Sequence, residues 1–228
     1  MTYLFDGISL LNGRDTNMDC LLLTSRQING TSSLLAVVCD GVGSMAYGAY
    51  ASSESVRMLH EWYSGLADTQ RAGLRIRDEV LSINSRIIDA AINREFQTAT
   101  TLSALLLIGR QYYIVHAGDS RVYAVGCDRL LPMTIDHLTK SGDLSVAIGR
   151  RDNPELYYAE GVADSDIFLL CSDGLHNRVA EDLIYRSINV RNKKALRKTL
   201  NELSSIAITQ GERDNITIAI VKIMGGVQ

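Results

Sequence analysis

Proline is nearly missing from this chain: Pro132 and Pro154 are the two among 228 residues, so no proline-rich spacer marks a domain boundary. With 46% hydrophobic and 21% charged residues, one packed domain over residues 1–228 accounts for the length and leaves little room for a second. No apolar run approaches the ~20 residues of a membrane span, and the start Met1-Thr2-Tyr3-Leu4-Phe5-Asp6 lacks the basic flank and long apolar core of a secretory signal. A cytoplasmic protein with no membrane partner is expected. Excess positive charge is lacking too. The 23 Lys and Arg stand against 26 Asp and Glu, a formal net charge of -3, which argues against nucleic acid as a partner. The four cysteines show no ligand-like spacing: Cys39 and Cys171 sit inside apolar runs as core filler, and Cys20 and Cys127 stand alone. Neither a disulfide nor a zinc site is expected, and no internal repeat appears.

What the chain does have is aspartate at the mouths of apolar runs. Leu34-Leu35-Ala36-Val37-Val38-Cys39 stops at Asp40-Gly41-Val42-Gly43, and Ile167-Phe168-Leu169-Leu170-Cys171 stops at Ser172-Asp173-Gly174. Short Val- and Leu-rich runs ended by glycine read as buried strands that deliver a carboxylate to their end and let backbone approach whatever binds there. Gly118-Asp119-Ser120 follows Tyr113 to Ala117, and Asp214-Asn215 precedes Ile216 to Val221. Each Asp-Gly alone is an ordinary turn dipeptide. Four aspartates at strand ends, in order, form a set that repels itself unless cations neutralise it. Oxygen ligands with no paired His or Cys favour hard ions such as Mg2+ or Mn2+ over Zn2+.

The remaining pattern supplies the scaffold. Residues 3 to 11 and 19 to 26 read as strands joined by the polar corner Asn12 to Met18, from which Arg14 and Asp19 emerge near one strand end. Val56, Leu59, Tyr63 and Leu66 mark one helical stripe, and Val80, Ile83, Ile87 and Ala91 a second. Trp62 and Tyr63 read as packing residues. From Thr98 to Leu131 three alternating runs separated by Gly109-Arg110 and Gly126-Cys127-Asp128 predict an antiparallel meander, with Asp119 and Arg121 at the corner between its second and third strands, where a turn Asp paired with a neighbouring Arg is the plainer of two readings. Leu156 to Val162 reads as a strand, a helix follows from about Ala180, and Leu196, Leu200, Leu203 and Ala207 line a last helix. The cluster Arg191, Lys193, Lys194, Arg197 and Lys198 at its start reads as a solvated face, with docking of an acidic partner as the alternative. Two groups of strands with paired helices imply an α+β fold of two antiparallel sheets packed face to face and covered by helices on both outer sides.

Six blocks together resemble the metal-dependent serine/threonine protein phosphatases of the type 2C class, in their bacterial single-domain form. They are Arg14-Asp15-Thr16-Asn17-Met18-Asp19, Asp40-Gly41-Val42-Gly43 with Gly48 and Ala51-Ser52, Thr100-Thr101-Leu102, Gly118-Asp119-Ser120-Arg121, Ser172-Asp173-Gly174-Leu175 and Asp214-Asn215-Ile216-Thr217. The resemblance implies the four-layer αββα sandwich and hydrolysis of phosphoserine and phosphothreonine in proteins by a metal-activated water. It implies two Mn2+ or Mg2+ ions, with Asp40 as the bridge, Asp173 and Asp214 completing the first site, and the Gly41 carbonyl helping to hold the second. Asp119 becomes a candidate for a weak third ion, and Arg14 the phosphate clamp. Phosphorylated proteins, among them a cognate Ser/Thr kinase and its substrates, are the implied partners of a monomer.

Two departures stand out. Only ten residues, Leu138 to Ala147, separate Asp136-His137 from Ile148-Gly149, so the helical flap of the family is expected to be largely absent. Met18 stands where the family carries a glutamate that helps hold the second ion. A thioether is a poor ligand for a hard cation, and Asp19 is left as the candidate replacement. A weakened or inactive homologue that binds phosphoproteins as a regulatory module is therefore the second reading, and a phosphatase of small phosphomonoesters the third. No general acid is assigned, since the residue after Asp40-Gly41 is Val42, and His137 reads equally as a proton donor or as a loop-fixing side chain.

Overall fold

The computed structural model describes residues 1–225. Among the described residues ten strands form two five-stranded sheets, and every pairing between them is antiparallel. One sheet runs β1 (Thr2–Leu10), β10 (Ile216–Met224), β9 (Ile167–Cys171), β6 (Arg121–Val125), β7 (Leu130–Pro132). The other runs β2 (Asp19–Ile28), β3 (Thr31–Asp40), β4 (Leu102–Ile108), β5 (Gln111–Ala117), β8 (Tyr157–Val162).

The period of two along a strand decides where each side chain goes. On β3, Leu35, Val37 and Cys39 pack beneath α1 (Gly48–Ser64) and α2 (Ala72–Asn93), while Leu34, Ala36 and Val38 face the other sheet. On β10, Ile216, Ile218 and Ile220 pack with Leu196, Leu200, Leu203 and Ala207 of α5 (Lys193–Thr209), while Ala219, Val221 and Ile223 face inward. The result is four layers with three apolar seams, as expected from the strand and helix patterns. Asn192 caps α5, its side chain accepting from the Ala195 amide at 2.9 Å. Tyr63 is buried and Trp62 packs beside it, both as core.

The expected meander is broken. β4 and β5 pair with each other, but β6 leaves for the opposite sheet and lies against β9 and β7. What resembled a hairpin corner at Gly118-Asp119-Ser120 is a crossover between sheets. Gly118 makes the turn at φ +105°, and a Cβ there would sit 2.6 Å from the Cβ of Thr101. The local pairing expected at that corner fails with it: Arg121 forks onto Asp136 at 2.7 to 3.1 Å, leaving Asp119 free of it. Residues 138–147 contain no helix; Thr139 and Asp143 close a small loop, amide to carbonyl, at 2.8 Å.

Gly118→Ala therefore combines a left-handed backbone with an overpacked contact. We expect a loss of about 2–4 kcal/mol in urea denaturation, and a change under about 0.5 kcal/mol would show that the crossover relaxes freely.

Candidate active site

The alternation that buries Leu34, Ala36 and Val38 between the sheets puts the next side chain of that series, Asp40, at the end of the inter-sheet seam. On β2 the same seam takes Leu21 and Leu23, so Asp19 arrives there too, and the register sets Asp19 opposite Asp40. The Gly41 amide donates to the Met18 carbonyl at 3.1 Å. That fixes the next pair along, Asp19 and Asp40, as a non-hydrogen-bonded pair, the kind whose side chains approach most closely, with Cα atoms about 4.5 Å apart. Two carboxylates are thus pressed together by strand pairing.

The surroundings offer limited relief. Asp19 is 8% exposed; its Oδ2 accepts from the Ser172 hydroxyl at 2.9 Å, and its Oδ1 has no partner. Burial pushes the Asp19 carboxyl up to about 6 against the pull of the nearby Thr217 and Ser172 hydroxyls. Burial, then the charges of Asp19, Asp173 and Asp119, holds the Asp40 carboxyl well above the usual range. Asp173 is raised by burial and by Asp214, and Asp119 is pushed up to about 6 by burial and by Asp173. Each carboxylate registers its neighbours, so the sequence-predicted set does gather at one place.

Asp173 does not sit at a bare strand end. It opens a single helical turn, α3 (Asp173–His176), after Ser172 in extended backbone. Asp214 is set by three residues that the sequence reading did not single out. Glu212 accepts the Arg213 and Asp214 amides at 2.7 and 2.8 Å, and its other oxygen meets Arg178 at 3.3 Å. Asn12, at φ 50°, donates to the carbonyls of Glu212 and Asp214 at 2.9 and 2.8 Å. Asn215 accepts the Met18 amide at 2.9 Å and donates to the Leu11 and Thr16 carbonyls at 2.9 and 3.2 Å. Asn215 therefore lashes the whole 11–18 corner to the Asp214 loop. Its place beside Asp214 was the one available signal.

Arg14, on that corner, forks onto Asp214: Nε to Oδ1 at 2.8 Å and Nη2 to Oδ2 at 2.6 Å. Both Asp214 oxygens are taken. Among the described residues no three His, Cys, Asp or Glu side chains form a ready cage for a metal. Even so, a buried carboxylate oxygen without a partner, raised carboxyl groups and an all-oxygen donor set fit a hard divalent cation. The Asp119 crossover is clamped by two histidines. His137 Nδ1 accepts the Gly118 amide at 3.1 Å, and His176 lies with Nε2 3.0 Å from the Asp119 carbonyl, as donor. His137 fixes a loop here.

The cleft over these groups has a volume of about 230 Å3 and is lined by Arg14, Met18, Asp40, Gly41, Asp214 and Asn215 among others. Met18 is thus among the residues at the cleft and in none of the apolar clusters. Gly41 and Gly48 pack backbone to backbone, where a Cβ on Gly41 would lie 2.6 Å from the Gly48 carbonyl. This closeness seats the start of α1 directly behind Asp40.

Comparison with known proteins places this geometry. A serine/threonine phosphatase, stp, of Listeria welshimeri serovar 6b is 27% identical over 219 residues, covering 85% of this chain and 86% of its own length. A crystal structure of a bacterial serine phosphatase superposes with a TM-score of 0.85 at 22% identity, over 98% of this chain and 99% of that one. The catalytic domain of the phosphatase PstP, crystallised with two manganese ions, superposes with a TM-score of 0.79 at 24% identity, over 96% of this chain and 97% of that one. The family profile described as protein phosphatase 2C matches residues 17–213, which takes in both strands of the aspartate pair and all but the last of the acidic positions, and the chain belongs to that family.

Proposed function

We propose that this chain hydrolyses phosphoserine and phosphothreonine esters in proteins, using two divalent cations, Mn2+ or Mg2+. The observation that carries the reading is the Asp19–Asp40 pair, a buried concentration of negative charge facing a solvent-open cleft beside an arginine fork. Asp40, Asp19 and the Gly41 carbonyl would hold one side of the metal site, Asp173 and Asp214 the other, with Asp119 for a weaker third ion. Bound there, the ions supply positive charge for the phosphoryl oxygens and a water acidic enough to attack at neutral pH. Arg14 offers a planar fork that matches either a carboxylate or a phosphate. Its present partner is Asp214, so the fork would be open to phosphate where Asp214 held a cation. Phosphorylated proteins, including a cognate kinase and its substrates, are the partners this reading implies, for a cytoplasmic monomer. No helix among the described residues is long and apolar enough to cross a membrane. The short 138–147 loop leaves the cleft without a helical flap.

Asp40→Asn and Asp173→Asn should each lower kcat/KM on a phosphothreonine peptide at least roughly 10²–10³-fold, with weaker Mn2+ binding by calorimetry. Wild-type turnover in either variant would reject the site.

Stability gives a test independent of turnover. The Asp19 and Asp119 carboxyls stand at about 6 in the fold against 3.8. A raised carboxyl contributes stability that is present below its unfolded value and lost as pH climbs through the folded one. The Tm of chelated protein should therefore fall between about pH 4 and pH 7, with Asp19 contributing up to about 3 kcal/mol. Mn2+ should restore Tm at the upper end. A Tm that rises over that interval without metal would mean these carboxyls are not the strained element.

Met18→Glu should return a carboxylate to the cleft and shift the second Mn2+ transition to about tenfold lower metal, about 1.4 kcal/mol. Unchanged second-site affinity in calorimetry would leave Asp19 as the sufficient ligand.

A further inference from the structure

A second groove lies on the far side of the loop that carries the metal-site glycines. Gly41 and Gly43 line the acidic cleft, while Met45 lines a groove of about 500 Å3 together with Ile88, Ala91, Ile92, Phe96 and Thr98. Residues two apart are separated by at most about 7 Å, so one thin loop divides an acidic, phosphate-sized cleft from an apolar trough. The trough is preformed. Thr98 donates its hydroxyl to the Tyr47 carbonyl at 2.6 Å, and the Val42 amide donates to Ala99 at 2.9 Å, which pins the loop to the segment after α2. Phe96 is wedged against Tyr47 and Tyr50, with ring centroids 4.7 and 5.2 Å away. Asn84, fully buried, fixes the opposite wall by accepting the Gly149 amide at 2.8 Å and donating to the Arg151 carbonyl at 3.0 Å.

Among the described residues nothing covers this floor, where Ile92 is 69% exposed. Among the lining residues the charges are Glu95 and Arg150, one of each sign, and Arg150 is engaged by the Leu144 carbonyl at 2.5 Å. A neutral apolar trough beside an arginine-bearing acidic cleft fits one molecule with two unlike ends, a phosphate and an aliphatic or aromatic group a short distance along the same chain.

We propose that this groove is a specificity site that receives an apolar side chain of the phosphoprotein substrate, roughly two to four residues from the phosphoresidue at ~3.3–3.6 Å per residue. The proposal rests on the phosphatase reading and adds a substrate class to it, phosphosegments carrying a large apolar residue at that spacing. Selection acts at a distance from the phosphate, where the catalytic cleft itself discriminates little.

The test uses the full chain with Mn2+ and two sets of phosphothreonine peptides, carrying Leu or Gln at successive positions on either side, with p-nitrophenyl phosphate as a substrate too small to reach the groove. Leu at one spacing should raise kcat/KM about tenfold over Gln, the value of burying one aliphatic side chain. Ile92→Glu, on the exposed floor, should erase that preference and leave p-nitrophenyl phosphate turnover unchanged. Equal rates for the two sets, or a preference that survives Ile92→Glu, would overturn the proposal. So would a wild-type dimer in sedimentation that Ile92→Glu dissociates without touching peptide choice, since the groove would then belong to a second copy of this chain. Absence of any turnover, p-nitrophenyl phosphate included, would count against the phosphatase reading alone. Anisotropy of the same labelled peptides would still decide the groove, by the presence or absence of a Leu preference lost in Ile92→Glu.

Discussion

Two carboxylates held face to face at the mouth of an apolar seam are an arrangement a protein adopts only under compulsion, and here the compulsion is sheet register. Asp19 and Asp40 cannot move apart without unpairing β2 from β3, whose ten-residue register continues down to Ile28 and Thr31. The long apolar ladder above the pair supplies the favourable burial that offsets the repulsion at its end. The polar residues nearby answer to that repulsion. Ser172 comes from the opposite sheet to hydrogen-bond Asp19, and Asn215 gathers the corner that carries Arg14.

Much of this was legible because strand periodicity is local information. An apolar run ending in Asp-Gly told where β3 and β9 stop, and the i, i+3, i+4 stripes of α1, α2 and α5 are the buried faces of those helices. The crossover at Gly118 was not legible. A glycine-aspartate corner between two alternating runs has the same local sequence whether the chain folds back on its own sheet or steps to the facing one. The choice is made by partners far along the chain, β8 for β5 and β9 for β6. Asn12 and Glu212 were invisible for the same reason: each acts through two backbone contacts, to a segment about 200 residues away or to its own loop, and neither leaves a periodic trace.

Met18 shows how a single side chain divides structural from chemical roles. Its backbone is fully employed, with the carbonyl accepting from Gly41 and Ser52 and the amide donating to Asn215. Those bonds are indifferent to the side chain, so the position tolerates a thioether without disturbing the fold. What changes is the charge in the cleft, and with it the hold on a hard cation.

At the end of the sandwich away from the aspartates, the sheets are joined by bonds of a different kind. Tyr3 donates its hydroxyl to the Ser32 and Gly109 carbonyls at 3.0 and 2.9 Å, and Arg110 reaches across to the Ala163 carbonyl and to Asp166. That end is pinned by neutral and oppositely charged groups, while the other gathers Asp19, Asp40, Asp119, Asp173 and Asp214 with Arg14 as the cation beside them. A change of pH through the carboxylate range therefore acts unequally on the two ends of the sandwich, bearing on the one where Asp19, Asp40, Asp119 and Asp173 are held above their usual range.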